Sequence, residues 1–417
     1  MKTLITAVPS FDSDMSVRAY RLYSGNGASL LGMMESAASV SDSVISPGLD
    51  FIKAIGVEPL TGGLPLFIDI NEYNLLMKEV FNLGIFPEQL VCILSSKIKA
   101  DDAIVSRCEE LRSQGFKVAI EGMPDENSKN PLFPFIDYII LSVDDFTLDS
   151  KFIDTLKILT KSKCVILSEI HSMETFEKLA GISNTQYCGS FFSQPITKKA
   201  SKISPIKINA LALLYRINEE DFDLGEIADT IGRDPSLSIS LFRFINSVVP
   251  RKIKSLRNAV AILGQKEVKR WATAAISIQL SEDKPGEITR LSLIRARFAE
   301  NLASAFEMSV FAPRLFVMGL FSLLDVILDC TMEQAVTEVG LNDDVKAALV
   351  DKKGAFYKIL DLMTAYERAN WDDVAMKLVK YNLDLEDITT AFVDALVWYK
   401  SLFEAMDDDG DDSDEEE

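Results

Sequence analysis

Up to about residue 195 the chain alternates between two textures. Short apolar runs at 4–8, 66–70, 91–94, 117–120, 138–141 and 164–167 are rich in Val, Ile and Phe. Runs of this length and composition predict buried strands. Between them lie amphipathic stretches such as 103–114, closed by Gly115 as a C′ glycine. Strand and helix in alternation predict a parallel sheet, open or closed into a barrel. From about Ile206 the strands vanish. Apolar residues recur at three-to-four spacing over 208–217, 224–231, 236–245, 255–263, 266–279, 288–305, 314–328, 345–350, 355–369 and 387–403. That spacing predicts an all-helical second half. Asp234-Pro235 predicts a helix start, with Asp as N-cap and Pro at the first helical position. Asn246 stands where that helix ends before Pro250, so its amide is expected to tie the end down.

The expected division is a barrel or sheet domain over 1–196, a polar basic linker over 197–205, a helical domain over 206–403 and a disordered acidic tail over 404–417. No internal repeat is evident. The segment 407–417 carries nine carboxylates and no base. Such a run cannot bury apolar surface. It imitates a calcium loop with Gly410 at the sixth position, but the first position is then Ala405, which cannot ligate.

The chain has 417 residues and a formal net charge of −20. Without the nine tail carboxylates, 54 acidic residues face 43 basic ones. Such a body repels phosphate backbones, so no nucleic-acid partner is expected. Five scattered cysteines with no Cys-x-x-Cys read as reduced thiols. Neither a leader nor a membrane span is evident: 315–328 is the longest apolar stretch and Asp325 interrupts it. A cytoplasmic location is therefore expected. The single histidine, His171, excludes a histidine-rich metal centre. With no recognisable nucleophile beside it, it reads as a loop or cap residue. Gly25-Asn26-Gly27 lacks the third glycine of a nucleotide loop and reads as a hairpin turn.

Three carboxylates attract attention. Asp69, Glu121 and Glu169 each stand at the C-terminal end of an expected strand. In a parallel barrel those ends converge on one face, where a residual pocket would lie. Three acids there suit a divalent cation, though a strand-end acid also serves as a helix cap or a solvated loop residue.

The first half resembles an EAL domain, the barrel that hydrolyses cyclic di-GMP. Cys188-Gly189-Ser190-Phe191-Phe192-Ser193-Gln194-Pro195 is similar to that family's closing Q-G-Y-x-F-S-x-P. Ala19-Tyr20-Arg21-Leu22 stands at G-Y-E-L, residues 115–121 at G-Y-x-I-A-L-D, and Ser168-Glu169 at the start of the late E-x-V-E motif. Against the resemblance, Arg21 replaces the glutamate that names the family, Asp69 its metal asparagine and Ser95 its next glutamate. Glu121-Gly122 replaces its two aspartates, Leu141 and Val143 its Lys and Asp, and Ser172 its last glutamate.

The second half resembles an HDOD domain, the relative of HD phosphohydrolases without their metal centre. It carries Asp234-Pro235-Ser236-Leu237, Asn246-Ser247, Ser255-Leu256, Ala259-Val260, Leu263-Gly264 and Trp271 in the family's order. Where an HD enzyme has His-Asp, this chain has Ser322-Leu323.

The order matches bacterial EAL/HDOD signalling proteins. The fold class implied is α/β plus all-α, a degenerate (β/α) TIM-like barrel followed by a helical HDOD domain. The expectation is a chain that is not an enzyme, with no catalytic residue, metal or cofactor. It would act in signalling linked to cyclic di-GMP by protein–protein interaction. The alternative is a barrel that binds a nucleotide such as cyclic di-GMP without hydrolysing it. Protein partners are expected and a membrane is not; self-association is left open.

Overall fold

The computed structural model describes residues 3–26, 47–77, 81, 86–95, 97–123, 131–194, 203–218, 222–249 and 253–407. It contains two compact units. The first holds a closed eight-stranded barrel. Its strands are β1 (Thr3–Phe11), β2 (Val17–Asn26), β3 (Leu66–Asp69), β4 (Leu90–Ser95), β5 (Lys117–Glu121), β6 (Tyr138–Ser142), β7 (Cys164–Ser168) and β8 (Thr185–Cys188). β1 runs antiparallel to both β2 and β8, and every other pairing is parallel.

Alternation decides what fills the barrel. Ala19, Phe67, Val91, Ile93, Ala119, Ile140, Ile166 and Cys188 form one buried cluster. Successive side chains point to opposite faces, so residues two further along share the inner wall. By that rule Arg21 continues from Ala19, Asp69 from Phe67, Ser95 from Ile93 and Glu121 from Ala119. The inner wall turns polar within one step of the strands' C-terminal ends. Outside, the helix Asp102–Ser113 buries Ile104, Cys108 and Leu111 and is capped by Asp101, which accepts from the N–H groups of Ala103 and Ile104. Gly115, with φ 95°, ends the turn that follows.

The structure corrects several expectations. Gly25 and Asn26 are not a hairpin turn. They end β2, paired with Leu4 and Thr3, and the β1–β2 turn lies at 12–16, where Asp12 accepts from the N–H groups of Asp14 and Ser16. Gly27 lies outside the described residues. β2 and β8 were not expected as strands, because β2 interleaves Arg18 and Arg21 with its apolar residues and β8 has only four residues. The first unit comprises Met1–Gln194 together with Thr364–Thr389. Residues 364–389, expected in the helical domain, instead pack on the barrel. Tyr366, fully buried, accepts at its hydroxyl from the N–H of Ile5 at 3.3 Å. Its ring meets Trp371 edge-on at 5.4 Å. A β-carbon on Gly25 would stand 2.9 Å from the Trp371 indole, so only glycine fits beneath that ring.

The second unit, Pro195–Met363 with Thr390–Glu417, is helical. Residues 197–202 of the expected linker lie outside the described residues. Ser204 caps Pro205–Ile217 and Asp234 caps Pro235–Val248. Asn246 Oδ1 accepts from the N–H of Ile253 at 2.7 Å and so ties down the end of that helix. Leu256–Leu280 is continuous apart from a kink at Gly264, whose φ of 75° and ψ of 170° divide the stretches expected at 255–263 and 266–279. The stretch 314–328 is not one helix. It divides into Ala312–Leu320 and Leu324–Leu328. At the break, Ser322 Oγ donates back to the carbonyl of Gly319 at 2.7 Å and accepts from Arg295 Nη1 at 3.1 Å. Met332–Val339 and Trp371–Tyr381 are helices that the spacing did not signal. The last helix runs to Asp407, so 404–407 of the expected tail are helical, and 408–417 lie outside the described residues. Among the described residues no helix is long and apolar enough to cross a membrane.

Candidate functional site

The site stands at the C-terminal ends of the parallel strands. β2 is long, and its inner face presents Ala19, Arg21 and Tyr23 in succession. Its register sets Arg21 beside Phe67 of β3, one step below the level of Asp69. Arg21 Nη1 donates to Glu121 Oε1 at 2.6 Å and Nη2 to Asp69 Oδ1 at 3.0 Å. The guanidinium lies deep, at 12% exposure, while the carboxylate-bearing side chains of Asp69 and Glu121 are about half exposed, at 55% and 46%. The Arg21 guanidinium also stands 5.0 Å from the centre of the Tyr23 ring.

Burial alone would ease the proton off Arg21, but Tyr23, Glu121 and Asp69 outweigh it and hold the guanidinium more firmly charged than usual. Asp69 moves the other way. Desolvation and the neighbouring Glu121 charge raise its carboxyl above the ordinary range, against the pull of Arg21. The Tyr23 hydroxyl is pushed up by burial first, then by Cys188, with Glu169 and Asp69 adding to it. Tyr23 was not singled out in the sequence. The signal was present in the alternation of Ala19, Arg21 and Tyr23, once β2 is recognised as a strand.

Of the three expected carboxylates, the structure brings two onto one cation and leaves the third to another partner. Glu169 follows β7 with φ 62°, a left-handed backbone that is uncommon for a residue with a side chain. The chain is held there from β8. The N–H of Ile170 donates to the carbonyl of Cys188, and the N–H of Phe191 donates to that of Ile170, each at 3.1 Å. Gly189 makes the approach possible, since a β-carbon there would stand 2.2 Å from the carbonyl oxygen of Ile170. The Glu169 carboxylate lies 3.7 Å from His171 Nε2, and Asp144 lies 3.6 Å from the same nitrogen.

The family resemblance implies divalent metal at this mouth, and the residues present do not fit it. Asp69 and Glu121 are taken by a guanidinium, and Glu169 turns to His171. Among the described residues no group of three or more His, Cys, Asp or Glu is arranged to hold a metal ion. In the second unit, Ser322 serves the break between helices and Leu323 is buried at 2% exposure.

The HDOD domain model matches residues 204–355. A Vibrio cholerae protein named cyclic di-GMP phosphodiesterase CdgJ is 25% identical over 354 residues, covering 84% of this chain and 82% of that protein. The uncharacterized YuxH of Bacillus subtilis is 28% identical over 421 residues, covering 97% of this chain and all of that one. Among solved structures, Klebsiella pneumoniae BlrP1, determined as a manganese and cyclic di-GMP complex, aligns with TM-score 0.39 and 16% identity, over 47% of this chain and 56% of its own. An EAL domain protein of Listeria monocytogenes aligns with TM-score 0.36 and 14% identity, over 46% of this chain and 88% of its own.

One expectation is overturned here. The motif losses led to a chain that is not an enzyme, yet the Vibrio relative, similar over most of the chain, is named a phosphodiesterase. Lost metal ligands argue against metal-activated water at those positions, and they do not exclude activity as such. The chain thus joins a closed eight-stranded barrel to a helical domain in which the HDOD model matches residues 204–355.

Proposed function

We propose that this chain acts in cyclic di-GMP signalling and that its helical domain delivers the signal by contact with a protein partner. The observation that carries this reading is the break at 321–323. Where an HD hydrolase would present His-Asp, Ser322 is spent on the carbonyl of Gly319 and on Arg295, and Leu323 is in the core. A domain that keeps its packing there without ligating side chains is suited to binding. Its surface offers exposed apolar residues, among them Ile239, Ile262 and Val310. The link to the nucleotide is supported by the barrel and by the phosphodiesterase name of the Vibrio relative.

The test is complementation of a deletion strain with full-length variants, scored on a cyclic di-GMP-dependent phenotype and alongside turnover of cyclic di-GMP by the purified proteins. Ile239→Glu with Ile262→Glu should abolish complementation and leave the melting temperature and any turnover unchanged. Complementation that survives these changes and follows turnover instead would reject partner contact as the output.

A further inference from the structure

Two carboxylates from different strands converge at the barrel mouth on the same charged group. Asp69 comes from β3 and Glu121 from β5, and Arg21 of β2 receives both at 3.0 and 2.6 Å. The arrangement has the elements of a metal site with the metal replaced. The cation is deep and the anions reach it from the half-exposed rim. Divalent ions such as Mg²⁺ are commonly held by one or two carboxylates with water completing the shell. Here the guanidinium takes those oxygens.

Other features make Arg21 a permanent occupant. A guanidinium does not lose its proton within the range in which proteins fold, and its neighbours here hold the charge more firmly still. Its Nε is buried without a hydrogen-bond partner, so the hydrogen bonds holding the group in place run through Nη1 and Nη2 to the two carboxylates. The Tyr23 ring beside it supplies a face to the cation. Glu169, the one further carboxylate at this mouth that the Tyr23 hydroxyl senses, lies toward His171.

We propose that Arg21 is the resident cation of the barrel mouth, standing between Asp69 and Glu121 in place of a divalent ion, and that removing its charge turns the two carboxylates into a divalent-cation site. This inference concerns the barrel alone and does not depend on the role of the helical domain.

Calorimetric titration of the full-length chain with MnCl₂ tests it, with the folded state followed by circular dichroism and thermal melting. The wild type and Arg21→Lys, which keeps the charge, should show no saturable uptake. Arg21→Met, which keeps the bulk of the stem, should show saturable Mn²⁺ binding and gain melting temperature with it. Adding Asp69→Asn or Glu121→Gln should remove that binding. Arg21→Gln provides the same comparison if Arg21→Met does not fold. Mn²⁺ taken up by the wild type and lost on Asp69→Asn overturns the proposal, whatever the variants do. So does a folded, uncharged variant that takes up none.

Discussion

Gln279 donates through Nε2 to Asp234 Oδ2 at 2.8 Å, while Asp234 Oδ1 accepts from the N–H groups of Ser236 and Leu237 at 2.9 and 3.1 Å. One carboxylate thus caps the helix Pro235–Val248 and ties its start to the helix Leu256–Leu280. Burial acts to raise the Asp234 carboxyl, and Gln279, Leu237 and Ser236 together outweigh it, so the group lies below its ordinary range. Asp234→Ala should cost about 0.5–2 kcal/mol at neutral pH. Because the folded-state value is depressed, this stabilisation is fully present above the unfolded value near 4 and lost as the pH falls through the lowered one. Urea unfolding of wild type and variant at pH 7 and pH 3 measures it. A difference that does not shrink at pH 3 would mean that the variant loses packing and not a charged cap.

Gly319 is fixed by a close crossing. A β-carbon there would lie 2.3 Å from the carbonyl oxygen of Arg295, in the backbone of the helix Gly286–Leu302. Backbone cannot swing aside as a side-chain end can. Gly319→Ala should therefore destabilise by about 1–3 kcal/mol or more, and an unchanged denaturation midpoint would contradict the crossing.

Asp69 leads to a less obvious outcome. Its folded-state carboxyl is raised, so the charged form is disfavoured relative to the unfolded chain even beside Arg21. The sign is opposite to that of Asp234: stability contributed at Asp69 falls as pH rises from the unfolded value through the raised one. Asp69→Asn should then gain on the wild type across that rise. At neutral pH it should be no less stable. A clear loss of stability at pH 7, recovered at acid pH, would show that the ion pair outweighs the desolvation.

The barrel should not stand alone. Tyr366, Val374 and Ile388 are fully buried within the unit that contains it. Residues 1–194 made by themselves should bind a hydrophobic dye and melt without a sharp transition. In the full chain, Tyr366→Phe removes the bond to the N–H of Ile5 and should cost about 0.5–1.5 kcal/mol. A cooperative, dye-free melt of 1–194 would show the added segment to be an accessory.

What the sequence made legible follows from which faces are covered. β4 and β7 are buried almost end to end and read as unbroken apolar runs. β2 must turn Arg21 inward to meet acids 48 and 100 residues away, and nothing in its own window signals that. The convergence of Asp69 and Glu121 was legible from their places at strand ends. Arg21 was legible as a cation at a position that the resemblance gives to a metal ligand; that both acids pair with it was not, because it requires the closure of β2 onto β3. The helix Trp371–Tyr381 escaped notice for the opposite reason. It has an apolar face through Trp371, Val374 and Leu378, but the buried Lys377 and the exposed Met376 and Val379, at 65% and 64%, blur its edges.

The contact between Tyr366 and Ile5 also has a consequence in time. A ribosome that has just released Gln194 has made every strand of the barrel, yet the segment that covers β1 is still about 170 residues away. At ~5–20 residues per second that interval lasts roughly 10–30 s. Throughout it the strands of the barrel exist on the nascent chain without the segment that packs over Ile5 of β1. The first residues translated must therefore wait for some of the last, and the nascent barrel is the form of this protein on which a chaperone would have most to hold.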